Sequence, residues 1–354
     1  ACRLDVDLRA PTGELKSVSW VDADGNTLKI IMAMPGLGDM EMILSDQATA
    51  LARFVPPEMF VSTAIPIGRS LNPSALQRVR YRLRTTNPDA TLDDLPTTGM
   101  QTVVSAAKDK VILEVTRQSH RPGGRRRGHG STAHGKTNTA RVMTTAARMN
   151  GVRTAHALAS DKATSPGASG TPSDDLADYL GANLMINTAD PALIRLAGKA
   201  AGGEREPFAL GDKLRRFVST YVSNKNLSIG FATASEVGRK REGDCSEHGV
   251  LLAALGRING LPSRVAVGLA YVPSFGGRKD IFGYHLWTQF HIDGRWVDFD
   301  AALRESQCSP TRIAFATSSL KDTGLADLSL PLIDKIGSIA IDILDTEDLA
   351  APTP

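Results

Sequence analysis

Gly243-Asp244-Cys245-Ser246-Glu247-His248 opens the apolar run Val250-Leu251-Leu252-Ala253-Ala254-Leu255. Gly243 suits a tight turn and Asp244 an N-cap, and Glu247, three residues on, completes an Asp-x-x-Glu capping pattern. The spacing predicts a helix with Cys245 as its first residue. At that position unpaired backbone N–H groups and the helix dipole favour an anion. The thiolate is the reactive form of cysteine, and the same N–H groups are placed to stabilise the oxyanion of a tetrahedral intermediate.

Two further residues give the cysteine chemical company. His285 follows forty residues later in Tyr284-His285-Leu286-Trp287, and Asp300 closes Trp296-Val297-Asp298-Phe299-Asp300. Both segments carry the pattern of strands, expected at His285–Ile292 and Arg295–Ala301, with a third at Ser263–Tyr271. His285 would act as general base and then acid, and Asp300 would hold its ring in the productive tautomer. A cysteine alone among Val, Leu and Ala is ordinarily a small buried hydrophobe, and a lone histidine is ordinarily structural. The three in this order point instead to nucleophilic catalysis. Asp298 competes for the third role, because residues two apart on a strand share a face. His248 and His291 are read as structural.

The segment from about 210 to 303 resembles the catalytic core of the transglutaminase-like superfamily, a papain-like cysteine fold. The resemblance rests on four motifs: Gly243-Asp244-Cys245, Gly260-Leu261-Pro262-Ser263-Arg264-Val265, His285-Leu286-Trp287, and Gly294-Arg295-Trp296 with Asp300. It implies Cys245 as nucleophile, His285 as base and Asp300 as orienting acid. The family places its acid four residues after the tryptophan, which favours Asp300 over Asp298. Papain-like sites often carry a Gln or Trp oxyanion donor upstream of the cysteine, and Arg239-Lys240-Arg241-Glu242 supplies neither. No Asp-x-[Asp/Asn]-x-[Asp/Asn]-Gly calcium loop is present, so neither metal dependence nor any other cofactor is predicted.

The 41 Lys and Arg against 38 Asp and Glu are unevenly spread. Between Val115 and Ser160 there are nine Lys or Arg and no acid, leaving 32 basic against 38 acidic residues elsewhere. The interval contains Arg125-Arg126-Arg127 and runs into Ser165-Pro166-Gly167, a composition that buries too little apolar area to offset ordering entropy. It therefore reads as a basic flexible linker, with a short helix at 141–156. Arginine clusters also suit polyanions, but the stretch lacks the aromatics that stack on single strands, which argues against nucleic acid.

The expected organisation is α+β. A β-rich N-terminal domain spans 1–118, the linker 119–172, a papain-like transglutaminase-type catalytic domain 173–347, and a tail 348–354. Its catalytic core would pack the nucleophile-bearing helix on an antiparallel sheet. In the first region, Arg3–Arg9, Val79–Arg84 and Val111–Val115 alternate as strands, and Ser17–Ile31 reads as a hairpin; 47–53 reads as a short helix. After the linker, Ser173 and Asp174 are candidate caps for a helix at 176–180. Pro191 opens a second, and Leu214, Phe217, Val218, Tyr221 and Val222 recur at helical spacing. Residues 276–280 are expected to form a loop, and 310–316 and 339–343 to add strands or a latch.

No apolar stretch reaches the ~18–20 residues needed to span a bilayer. Three cysteines leave open whether Cys2 and Cys308 pair. The start Ala1-Cys2 points to a processed or truncated terminus. Because the resembled family is often exported in bacteria, an extracytoplasmic location is expected. The chemistry implied is attack on a carboxamide or peptide carbonyl of a protein or peptide substrate, through a thioester resolved by water (protease or amidase) or by an amine (protein-glutamine transferase). The alternative is a non-catalytic scaffold of the same fold that binds a partner.

Overall fold

The computed structural model describes residues 1–10, 13–34, 38–46, 63–118, 176–224, 231–305, 308–321, 328, 331–332 and 335–350. The helix expected at 47–53 and the linker with its helix at 141–156 lie outside these residues. The fold is α+β with antiparallel sheets.

Strands β1 (Cys2–Ala10), β2 (Gly13–Val21), β3 (Thr27–Met34) and β4 (Gly38–Ile43) form an antiparallel meander in sequence order. The β2–β3 turn is held by Asp22, whose carboxylate accepts from the amides of Asp24 and Asn26, as in an Asx-turn.

A short strand β5 (Ile65–Pro66) follows, then β6 (Leu76–Thr85), β7 (Gln101–Ala107) and β8 (Lys110–Thr116). Among the described residues five helices come next: α1 (Ala177–Leu180), α2 (Pro191–Ala201), α3 (Pro207–Tyr221), α4 (Ala234–Lys240) and α5 (Cys245–Ile258). Helix α1 has Leu176 at its N-cap with no side-chain cap; the candidate caps Ser173 and Asp174 lie outside the described residues. Strands β9 (Ser263–Phe275), β10 (Arg278–Ile292), β11 (Arg295–Phe299), β12 (Arg312–Ser318) and β13 (Ile339–Asp348) complete the fold.

The central sheet has the order β11-β10-β9-β12, with β5 paired to the far end of β10. Residues 276–280, expected as a loop, contain only a tight turn: Gly276 and Gly277 adopt positive φ and β10 resumes at Arg278. The result is a long β9–β10 hairpin. A third sheet has the order β13-β6-β8-β7.

Two cores flank the central sheet. One lies among α2, α3, α4, α5 and the sheet, with Leu193, Leu214, Val218, Leu251, Leu255, Val265, Leu286 and Phe290 buried together. The other joins the third sheet to the central one through Val79, Tyr81, Leu83, Leu113, Leu269, Phe282, Ile313 and Phe315. Strands from 65–118 thus share a core with strands from 263–318 and pair with β13 from the chain's end. Tyr81 illustrates the join: its buried hydroxyl donates to the carbonyl of Pro310 at 2.8 Å, and its ring meets Phe282 edge-on.

Candidate active site

Helix α5 begins at Cys245. Asp244 is its N-cap and forms a full capping box with Glu247. The Glu247 carboxylate accepts from the Asp244 amide and, through its other oxygen, from the Ala232 amide. Burial pushes its pKa up. Gly243 has φ +142°, and a Cβ there would lie 2.3 Å from the Glu247 side chain; the approach to the cysteine therefore requires glycine. Asp244 takes the amides of both Ser246 and Glu247. Of the first-turn amides predicted to serve an oxyanion, that of Cys245 is the one outside the cap, so the anion-binding capacity of this helix start is narrower than the sequence implied.

His285 lies on β10 and Asp300 immediately follows β11. The Asp300 Oδ2 and His285 Nε2 atoms are 2.7 Å apart, and both side chains are buried. Cys245 and His285 line the same cavity, so the imidazole paired to Asp300 lies on the thiol's side of the sheet. Burial opposes its positive charge, but the charge and hydrogen bond of Asp300, followed by the influence of the nearby Cys245, outweigh this and raise its pKa to about 10. Asp300 experiences the converse. Burial pushes it up, yet His285 and Arg312 hold it far below the ordinary carboxylate range. Its Oδ1 accepts the amides of Ala302 and Leu303, fixing the carboxylate plane.

Asp298, the rival, is also buried but is spent elsewhere. It accepts from the indole N–H of Trp287 at 2.5 Å, the Gln289 amide at 2.9 Å and the Met100 backbone amide at 2.9 Å. Gln289 accepts in turn from Thr98 and Arg264, and the Arg264 guanidinium stacks 3.9 Å over the Trp296 ring. Trp287, Arg264 and Trp296, all quoted above for their motifs, thus belong to one structural clamp tying β9, β10 and β11 to residues 98–100.

Arg312 was not foreseen. It is 2% exposed, donates to Asp300 Oδ2 from Nη2 at 2.7 Å and Nε at 3.2 Å, and reaches Glu305 at 3.0 Å. Its signal was present: an arginine inside Ile313-Ala314-Phe315 packing must find a buried acid. His248 donates from Nδ1 to the Asp244 carbonyl at 2.5 Å, and His291 packs on Trp296 with ring centroids 5.2 Å apart. All three cysteines are free. Cys2 is exposed, and Cys308 is buried with its thiol pKa pushed up by that burial. Among the described residues no group of three or more His, Cys, Asp or Glu is arranged to hold a metal. A cavity of about 300 Å³ opens beside Cys245 and His285.

Residues 194–301 match the model of the Transglutaminase-like superfamily. Three solved structures are similar at low identity. One is a protein from Cytophaga hutchinsonii provisionally called a cysteine protease, 13% identical, with 78% of this chain and 90% of that chain covered and a TM-score of 0.38. Two are of the periplasmic domain of TgpA from Pseudomonas aeruginosa. The first is 19% identical, with 35% of this chain and 45% of that chain covered and a TM-score of 0.27. The second, bound to ethylmercury, is 13% identical, with 71% and 86% covered and a TM-score of 0.32. No curated protein matches the sequence.

Proposed function

We propose that this chain, with its transglutaminase-like domain at 194–301, is a cysteine-dependent enzyme that performs acyl transfer on a carboxamide or peptide bond. The observation carrying this reading is the buried His285–Asp300 pair, 2.7 Å apart, with His285 and the helix-start Cys245 lining one cavity. A thiol sharing a cavity with a base that is paired to an orienting acid is what nucleophilic catalysis needs, and a merely structural core does not require it.

In this reading the Cys245 thiolate attacks the carbonyl carbon, and the carbonyl π pair moves to oxygen. The oxyanion faces the helix start, where the Cys245 amide is the donor left outside the cap. The imidazolium of His285 protonates the departing amine as the C–N bond breaks, leaving a thioester. Water or a second amine then attacks with His285 as base, and the thiolate leaves. Asp300 uses Nε2 throughout, which keeps the other ring nitrogen for the thiol and leaving group. Because Arg312 and two amides share the carboxylate, Asp300 stabilises the imidazolium without taking its proton.

The unit we assign to catalysis extends beyond 173–347 to include 65–118, whose strands complete the second core. An extracytoplasmic setting belongs to the same proposal and rests on the family resemblance alone. Among the described residues no helix is long and apolar enough to cross a membrane.

The test is incubation with a mixed peptide pool and a primary amine, read by peptide mass against a Cys245→Ala control. Amine adducts on glutamine would mark a transferase, and clipped or deamidated peptides a hydrolase. Peptides unchanged by wild-type protein across the pool would contradict the enzyme reading and favour a scaffold.

A further inference from the structure

Resting on the reading of Cys245 as nucleophile, we propose that the adjoining cavity is a subsite for a bulky apolar side chain flanking the substrate carbonyl, with Gly283 setting its depth. Alternation along β10 puts His285, Gly283 and Ile281 on one face. Cross-strand pairing sets Gly283 opposite Ala270 and Ile281 opposite Val272. The sheet therefore offers a floor that is minimal in height next to the catalytic imidazole and rises further along. Leu303 contributes to the wall, and Phe275, 42% exposed, stands at the hairpin end.

The polar groups along the lining are already engaged. The Asp244 carboxylate holds Ser246, and His248 Nδ1 holds the Asp244 carbonyl. No lysine or arginine lines the cavity among the described residues. An anionic substituent entering would lose hydration with no lysine or arginine to receive it and with His285 already paired to Asp300, whereas an aliphatic or aromatic one would exchange water for packing. At about 300 Å³ the space lies at the lower end for small-ligand pockets and has room for a leucine or phenylalanine side chain.

Gly283 gives the proposal a precise handle. A Cβ built on it meets nothing within 4 Å, so a larger residue extends into the cavity without striking the fold. The test needs no known substrate. Cys245 is alkylated with iodoacetamide, with N-phenethyl iodoacetamide and with a sulfonate-bearing iodoacetamide. Each rate is divided by the same reagent's rate with glutathione. The phenethyl reagent is expected to exceed iodoacetamide by ~10- to 100-fold, the range set by burying one such side chain, and the sulfonate to show no gain. In Gly283→Val the phenethyl advantage should fall towards one. Gly283→Ala should show a smaller loss of the same sign, and it carries the test should the valine variant fail a circular dichroism control. Equal normalised rates for all three reagents in the wild type, with Cys245 still faster than Cys2 and Cys308, would overturn the subsite and leave the nucleophile reading intact. Slower labelling of Cys245 than of both other cysteines would overturn the two together.

Discussion

Arg312 sets the electrostatics of the site at the scale of single residues. Its guanidinium and the His285 ring converge on one oxygen of Asp300. Removing one member of such a buried set strands a charge, so Arg312→Met should lower stability by ~3–5 kcal/mol, measurable by urea denaturation. The His285–Asp300 pair also gives stability a pH signature. His285 is raised from 6.5 to about 10, so its contribution is complete below about pH 6.5 and is lost as pH rises through about 10. Asp300 is depressed below 3.8, so its contribution holds above that value and is lost on acidification. The melting-temperature advantage of wild type over His285→Gln should therefore be widest near pH 5–6 and shrink steadily towards pH 10; an advantage that grew with pH would contradict the ion pair. That Cys245 starts a helix and that His285 and Asp300 come from neighbouring strands was legible, because each sits in a short motif with a distinct physical signature; their catalytic roles belong to the proposal. Arg312 was missed because its role depends on a strand pairing that no local pattern announces.

Helix α5 shows what an element contributes. Its middle is buried on all sides, which is why the run from Val250 to Leu255 lacks a polar face, and its start was fixed by the capping box. Its distance from the sheet is set by Gly256, where a Cβ would lie 2.3 Å from the Phe290 ring. Gly256→Ala gains helix propensity, worth ~1 kcal/mol, but must displace that ring in a packed core, costing ~1–3 kcal/mol. A net loss of stability is expected by thermal melting, with reduced Cys245 labelling if the helix start shifts. At the C-terminal end, buried Arg257 donates to the carbonyls of Gly181, Ser263 and Ser319, pinning the helix to α1 and β9. Strands were recognisable by alternation and the pairing across Ser17–Ile31 by its turn, but the partners of β5, β6 and β13 were not. The hairpin of β9 and β10 ran through glycines that read as a loop, because two positive-φ glycines serve a tight turn as well as a long one.

Across the whole molecule, the sequence break at 118–119 does not coincide with a break in the fold. Residues 76–116 and 339–348 build one sheet, and its buried face closes the second core against the central sheet. Composition marks the basic interval sharply and is blind to strands meeting across some 260 positions. A fragment beginning at 173 would expose Leu269, Phe282, Ile313 and Phe315, and it is expected to aggregate or bind 8-anilinonaphthalene sulfonate. A chain with 121–174 replaced by a short Gly/Ser linker should keep a cooperative melt; the opposite ranking would restore the boundary at 118. All of this packing serves one claim, that two distant residues, His285 and Asp300, make Cys245 a nucleophile. The most direct measurement is the iodoacetamide labelling rate of each cysteine at pH 7, by peptide mapping, in wild type, Asp300→Asn and Asp298→Asn, with circular dichroism confirming the fold. The account predicts that Cys245 labels fastest in the wild type, slows at least about tenfold in Asp300→Asn, and slows less in Asp298→Asn, whose carboxylate serves Trp287, Gln289 and Met100. Faster labelling of Cys2 or Cys308, or a greater loss in Asp298→Asn than in Asp300→Asn, would contradict it.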